Sequence, residues 1–262
     1  YGHQIGGGLP GEGNVVSGNA GSGIHDLGGG NPGGSTYQGN YIGTDATGTN
    51  ALGNAAVGLW LSSTPRNLVG GLTPGARNVI SANATGFQCE GTTVRSNSFI
   101  GNYVGTDATG TKSLGNLGNG IWVLGGSSNV FGGPTASHRN IVAANRGDGV
   151  ALIGSQSVSN LVLGNWIGLN AQGSVLGNGL SGGAENLGLR VGSASAFNVV
   201  ASNVISGNVE GGVSLDNSAH DNRVEGNLIG TAPSGLVAAA NGVKGIIVQS
   251  DAHHNLITAN LV

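Results

Sequence analysis

The chain has 262 residues, of which 54 are glycine and only 8% are charged, for a formal net charge of −3. Disordered chains pair low hydrophobicity with high net charge, whereas 38% of these residues are hydrophobic, so a buried core is required. Nine Lys and Arg scattered over the length exclude a nucleic-acid-binding stripe, no apolar run reaches the ~20 residues of a membrane helix, and the single Cys89 excludes an internal disulfide framework.

Taken in chain order, the elements repeat. The chain begins with His3-Gln4-Ile5-Gly6-Gly7, which resembles Asn67-Leu68-Val69-Gly70-Gly71, and NVVSGN follows from Asn14. GNYIGTDATGTNALGN at 39–54 returns as GNYVGTDATGTKSLGN at 101–116, then in degraded form as GNWIGLNAQGSVLGN at 164–178 and GNLIGTAPSG at 226–235. The leading asparagines Asn40, Asn102, Asn165 and Asn227 recur at near-equal intervals. A second series, NVVSGN, NVISAN, NIVAAN and NVISGN, starts at Asn14, Asn78, Asn140 and Asn203. Each unit splits into halves opened by Asn67, Asn97, Asn129, Asn160, Asn198, Asn222 and Asn255. The half from Asn198 to Asp221 lacks a glycine-rich tip and is the shortest, which makes it the minimal coil.

Fixed-period self-similarity of this kind marks a solenoid. The pattern predicts an all-β right-handed parallel β-helix of about eight coils, in four double-coil repeats of about 63 residues. It fills a single domain, 1–262, with uncapped ends. At ~4.8 Å per coil the solenoid would be roughly 40 Å long. Alternation sends one set of apolar residues inward. Val16, Ile80, Val142 and Ile205 form one expected column, Ile42, Val104, Ile167 and Ile229 a second, and Tyr37, Phe99, Val162 and Val224 a third. Ile121 with Val123, and Val150 with Leu152, line the last strand. No coil covers its own apolar face, so stability must come from stacking. Asparagines at equivalent corners can bond along the axis as ladders, and the buried Cys89 reads as a small apolar residue.

The N-x-I-x-G-N-x-I-G-T-D-x-x-G-T and N-V-I-S-G-N motifs, which cover nearly the whole chain, resemble the parallel β-helix repeats of large secreted bacterial proteins. More distantly they are similar to the pectate-lyase-like superfamily. That resemblance implies the fold and an extracellular or cell-surface location, but no one activity, because the superfamily holds lyases, glycosidases, epimerases, adhesin passengers and plain surface modules.

Candidate chemistry is sparse. Asp45 and Asp107 occupy one tip position two coils apart, but the later copies carry Asn170 and Ala232 there. A position that drifts in this way behaves as a turn residue, and one carboxylate per tip is too few for calcium. Near the C-terminus Asp216, His220, Asp221, Asp251, His253 and His254 gather at one corner of consecutive coils, a polar cluster that aligns His220 on His253 and Asp221 on His254. Alternation also points Trp60 and Trp122 outward on one face and Tyr41, Tyr103 and Trp166 outward on another. Such columns suit sugar-ring stacking or subunit contact, unless the tips fold over and bury them. No catalytic set, cofactor site or metal site is assigned. The leading expectation is a non-catalytic structural protein, not an enzyme, that self-associates end to end or laterally into filaments. The alternatives are a polysaccharide-active β-helix enzyme (lyase, hydrolase or epimerase) and a carbohydrate-binding adhesin module, either of which would have a polysaccharide as partner.

Overall fold

A computed structural model describes residues 2–29, 32–180 and 186–262. It is a right-handed parallel β-helix with three sheets, and each turn of the chain gives one short strand to each. Sheet A has nine strands, from Gln4–Gly6 to Leu256–Thr258. Sheet B has eight two-residue strands, from Val15–Val16 to Leu228–Ile229, and sheet C eight longer ones, from Ile24–Leu27 to Lys244–Val248. Every pairing within the three sheets is parallel, as in Val79–Tyr103–Ile141 of sheet B. The described residues contain no α-helix, only one 3-10 turn at Pro74–Ala76.

The corners explain the asparagine content. Between sheets A and B, Asn14, Asn40, Asn78, Asn102, Asn140, Asn165, Asn203, Asn227 and Asn260 form one ladder, each amide donating to the carbonyl of the next. The two asparagine series that the sequence separates therefore interleave in a single column. Ladder steps alternate, with 38 residues from Asn40 to Asn78 and 24 from Asn78 to Asn102. This long step carries two tips and this short step none, and together they make one period of the repeat. A second ladder between sheets B and C runs from Asn19 through Asn54, Asn83, Asn116, Asn145, Asn178 and Asn208 to Asn241. The third, before sheet A, runs from Asn67 to Asn255 through the asparagines that open each half. The three hold 24 of the 30 asparagines. Each oxygen also accepts the backbone N–H of its neighbour, as Asn102 Oδ1 does from Asn78 at 3.2 Å. These bonds satisfy backbone groups at corners where the sheet ladders stop, which matters because an orphaned buried group costs about 1–3 kcal/mol.

The interior columns merge in the same way. Val16, Ile42, Ile80, Val104, Val142, Ile167, Ile205 and Ile229 stack as one file, not as the two expected from the sequence, because both series belong to sheet B. Tyr37, Val69, Phe99, Phe131, Val162, Val200 and Val224 line sheet A, with the Phe87 and Phe99 rings 4.5 Å apart across the core. Cys89 lies fully buried opposite Val123, and burial pushes its thiol pKa far up. Sheet C opens each strand beside a glycine. At Gly120 a Cβ would lie 2.7 Å from Asn145 Nδ2 and 2.8 Å from Val142 Cγ1, so the ladder and core leave room for hydrogen alone.

Candidate functional site

Two rows of tips rise on opposite sides of sheet B. On one side the loops 43–54, 105–116, 168–178 and 230–241 are each closed by an antiparallel bridge, such as Thr44–Ala51 and Thr106–Ser113. Although two coils apart, they bond to one another: Ala108 N–H donates to Gly48 O at 2.8 Å, and Ala171 N–H to Gly110 O at 2.9 Å. On the other side stand the loops 7–14, 71–78 and 133–140, carried by the alternate coils. The space between is a groove along the axis, floored by the outward side chains of sheet B.

The tips account for Asp45 and Asp107. Asp45 accepts bonds from Asn50 Nδ2, Thr47 Oγ1 and the backbone of Thr49 and Asn50, which together hold its carboxyl well below the usual range. Asp107 is partly desolvated, which opposes ionisation, but bonds from Lys112 N–H, Thr109 Oγ1 and Thr111 N–H outweigh this and lower its pKa. Asn170 makes the same turn with a neutral side chain, accepting from Gln172 and Ser174 at 3.0 Å. Glu12, in the opposite row, accepts from Leu9 N–H. These acids are turned into their own loops.

The groove floor carries Tyr41, Tyr103 and Trp166 at every second coil, with Val79 and Ile141 between. Tip burial leaves Tyr103 only 8% exposed, so its outward direction does not make it a surface residue. Tyr41 and Trp166 are half-buried. The Arg77 guanidinium lies 4.0 Å above the Tyr103 ring and donates from Nε to Gly101 O at 3.1 Å. Arg139 repeats this in the next double coil, 4.2 Å above Trp166, with Nε directed to Gly164 O. Burial lowers the Arg139 pKa. Among the described residues neither guanidinium has an ion-pair partner. Three adjoining clefts follow the groove: the first lies between Tyr41 and Arg77, the second between Arg77 and Arg139, and the third from Arg139 to Leu228. Among the described residues no Asp or Glu lines any of them.

Arg77 and Arg139 do not stand out among the sequence's candidate residues, although a signal is present. Each directly precedes a ladder asparagine, in ARNV and HRNI, so two of only nine cations recur at one place in the repeat.

The other expected residues are distributed differently. On sheet C, Trp60 stacks face to face on His25, with ring centroids 4.0 Å apart and a 1° interplanar angle, and its indole N–H is buried without a hydrogen-bond partner. Trp122 is half-buried between Gln88 and Ala151. The C-terminal cluster divides. His220 and His253 do stack, 5.2 Å apart, with His254 edge-on to His253 and Asp221 bonded to His220 at 2.9 Å. Asp221 therefore serves the imidazole beside it in sequence, and not His254. Asp216 is elsewhere: only 2% exposed, it takes a two-point contact from Arg190 at 2.9 and 3.0 Å and a bond from Ser214. Asp251 contributes its backbone carbonyl, which accepts from His253. Among the described residues no group of three or more His, Cys, Asp or Glu is placed to hold a metal ion, and no helix is long and apolar enough to cross a membrane.

No known protein family and no curated protein matches the sequence. Among solved structures, the periplasmic alginate epimerase AlgG is similar over 86% of this chain at 16% identity, with a TM-score of 0.47. A point mutant of that enzyme is similar over 87% at 16% identity, with a TM-score of 0.45. The likeness is one of fold. This chain spans 43% and 44% of the two structures, less than half their length. Both are structures of an enzyme, which runs against the expectation that this chain is not one, while at 16% identity the likeness itself shows the fold alone.

Proposed function

We propose that the protein is a polysaccharide-active β-helix, working outside the cytoplasm, in which an acidic glycan lies lengthwise in the groove over sheet B. The observation that supports this reading is the pair of unpaired guanidiniums, Arg77 on Tyr103 and Arg139 on Trp166, in a groove whose clefts contain no acidic residue among those described. An arginine held over an aromatic ring loses little further freedom when its free N–H edge meets a carboxylate. Tyr41 begins the same column with no guanidinium above it, because the residue at the equivalent position is Gly13. Its half-buried ring is left to stack on a sugar.

The test is affinity electrophoresis and turnover on a panel of acidic and neutral polysaccharides, with alginate included because it is the polymer named for the structurally similar epimerase. Acidic polymers are expected to retard the protein, less so at high salt, where exposed charges are screened. A neutral glucan should leave its mobility unchanged. Absence of both retention and turnover with every acidic polymer at low salt would overturn the reading.

A further inference from the structure

The groove is periodic, and its period constrains what it can hold. The residues directly before the ladder asparagines between sheets A and B are Gly13, Gly39, Arg77, Gly101, Arg139, Gly164, Ser202, Gly226 and Ala259. On the alternate coils from Gly39 to Gly164 this position is closed to side chains. At Gly39, Gly101 and Gly164, with φ between 68° and 71°, a Cβ would lie 2.2–2.3 Å from the carbonyl oxygen of Gly7, Gly71 or Gly133, whereas at Gly226 it would meet nothing within 4 Å. Between Gly39 and Gly164 a cation can therefore stand only on every second coil, ~10 Å from the next at the spacing of stacked strands. Arg77 and Arg139 occupy two such places and line the same cleft with Tyr103, Ile141 and Trp166. The place after them is Ser202, exposed and on the wall of the following cleft, with Leu228 where the earlier copies have Tyr103 and Trp166.

Resting on the reading of this groove as a polysaccharide site, we infer that Arg77 and Arg139 select by charge spacing, and that the preferred ligand is an extended polymer presenting one anionic group per two sugar residues along one face. Two coils advance by about the rise of two pyranose residues in an extended chain, so each guanidinium meets every second residue. In a ribbon whose sugars alternate in facing, a uronate homopolymer and an alternating acidic–neutral polymer present the same charges to the groove. The intermediate residue lies over Gly101 and the small side chains beside it and needs no charge.

The experiment compares three polymers of matched length by isothermal titration. One is a uronate homopolymer, one alternates uronate with a neutral sugar, and one carries a single uronate in every four residues. The alternating polymer is expected to bind about as tightly as the homopolymer, and the sparse polymer about tenfold or more weaker, since it engages one guanidinium at a time and a hydrogen bond to a charged group is worth about one decade of affinity. Arg77→Ala and Arg139→Ala should each bring the alternating polymer down to the level of the sparse one. Ser202→Arg adds a third cation to the wall of the following cleft and should tighten binding of the alternating polymer, provided it is long enough to span three sites. Because Ser202 already holds a φ of 55° with a side chain, this variant introduces no new backbone demand. If the homopolymer binds and the alternating polymer does not, or if all three bind equally and ignore both arginine variants, charge spacing is not read and only this inference falls. If none of the three binds, the polysaccharide reading of the groove falls with it.

Discussion

Sheets B and C share a corner ladder, yet their outer faces are unlike. Sheet B consists of two-residue strands under two rows of tips, and its outward residues Val79, Ile141 and Val204 are at most 6% exposed. Sheet C has strands of up to six residues, and its outward column runs through His25, Trp60, Gln88, Trp122, Ala151 and Arg190. Its polar groups pair with one another, Gln88 with Glu90 and Arg190 with Asp216. The contrast shows where the extra residues of the repeat go. Coils with no tip make the turn in 24 residues, and nearly everything beyond that builds the walls of the groove over sheet B.

The shared corner is the most sensitive place to break this arrangement. Asn102→Ala removes three donor contacts, orphans the Asn78 N–H and leaves the Asn78 amide with Tyr37 O as its one remaining acceptor, so it should cost on the order of 3–5 kcal/mol in urea unfolding. A loss under about 1 kcal/mol would mean that water replaces the ladder. The next test separates the two faces. Tyr103→Ala removes a nearly buried ring from beneath Arg77 and should cost about 2–4 kcal/mol, whereas Trp122→Ala on half-buried sheet C should cost about 1–2. Equal losses would erase the distinction between a covered and an open face. A smaller effect concerns Arg139→Lys, which keeps the charge but loses the guanidinium held over Trp166. Polymer binding should weaken by about threefold to tenfold while the fold stays intact by circular dichroism.

The smallest effect is a pH dependence confined to one wall. The folded pKa values of Asp45 and Asp107 lie below the unfolded value of about 3.9, so the tip stability they provide is complete above that pH and is lost as the pH falls through the folded values. Amide exchange in 45–50 and 107–112 should therefore accelerate below about pH 4, relative to the intrinsic rate. The tip built on Asn170 has no such titration and serves as the internal control. Equal acceleration in all three tips would assign the effect to something other than these carboxylates.

Much of the fold was legible in the residues. The fourfold GN-x-I-G tips, the NVISGN-type strands and the coil-opening asparagines together implied the solenoid and its tipless minimal coil. Two of the ladders are legible in part from the sequence, and the one from Asn19 to Asn241 is not, because its members end one motif instead of opening the next. The division of the sheet A–B ladder and the sheet B core into two series each came from comparing like tips with like. Tips alternate between coils while ladder and core positions do not. The candidate site was less legible. Tyr103 and Trp166 were singled out, but their partners Arg77 and Arg139 sit just before a strand of the neighbouring coil, where only stacking brings guanidinium over ring. Asp216 and His220 are close in sequence, but the chain turns the corner between them and gives Asp216 to Arg190.

By itself the sequence determined the period, the inward apolar files and the asparagine corners, because these follow from local alternation and from a repeat that every coil must satisfy. Only the tertiary structure decided which surface is a groove. That depends on loops from alternate coils rising on opposite sides of sheet B, and on side chains that are far apart in sequence meeting across a single strand spacing.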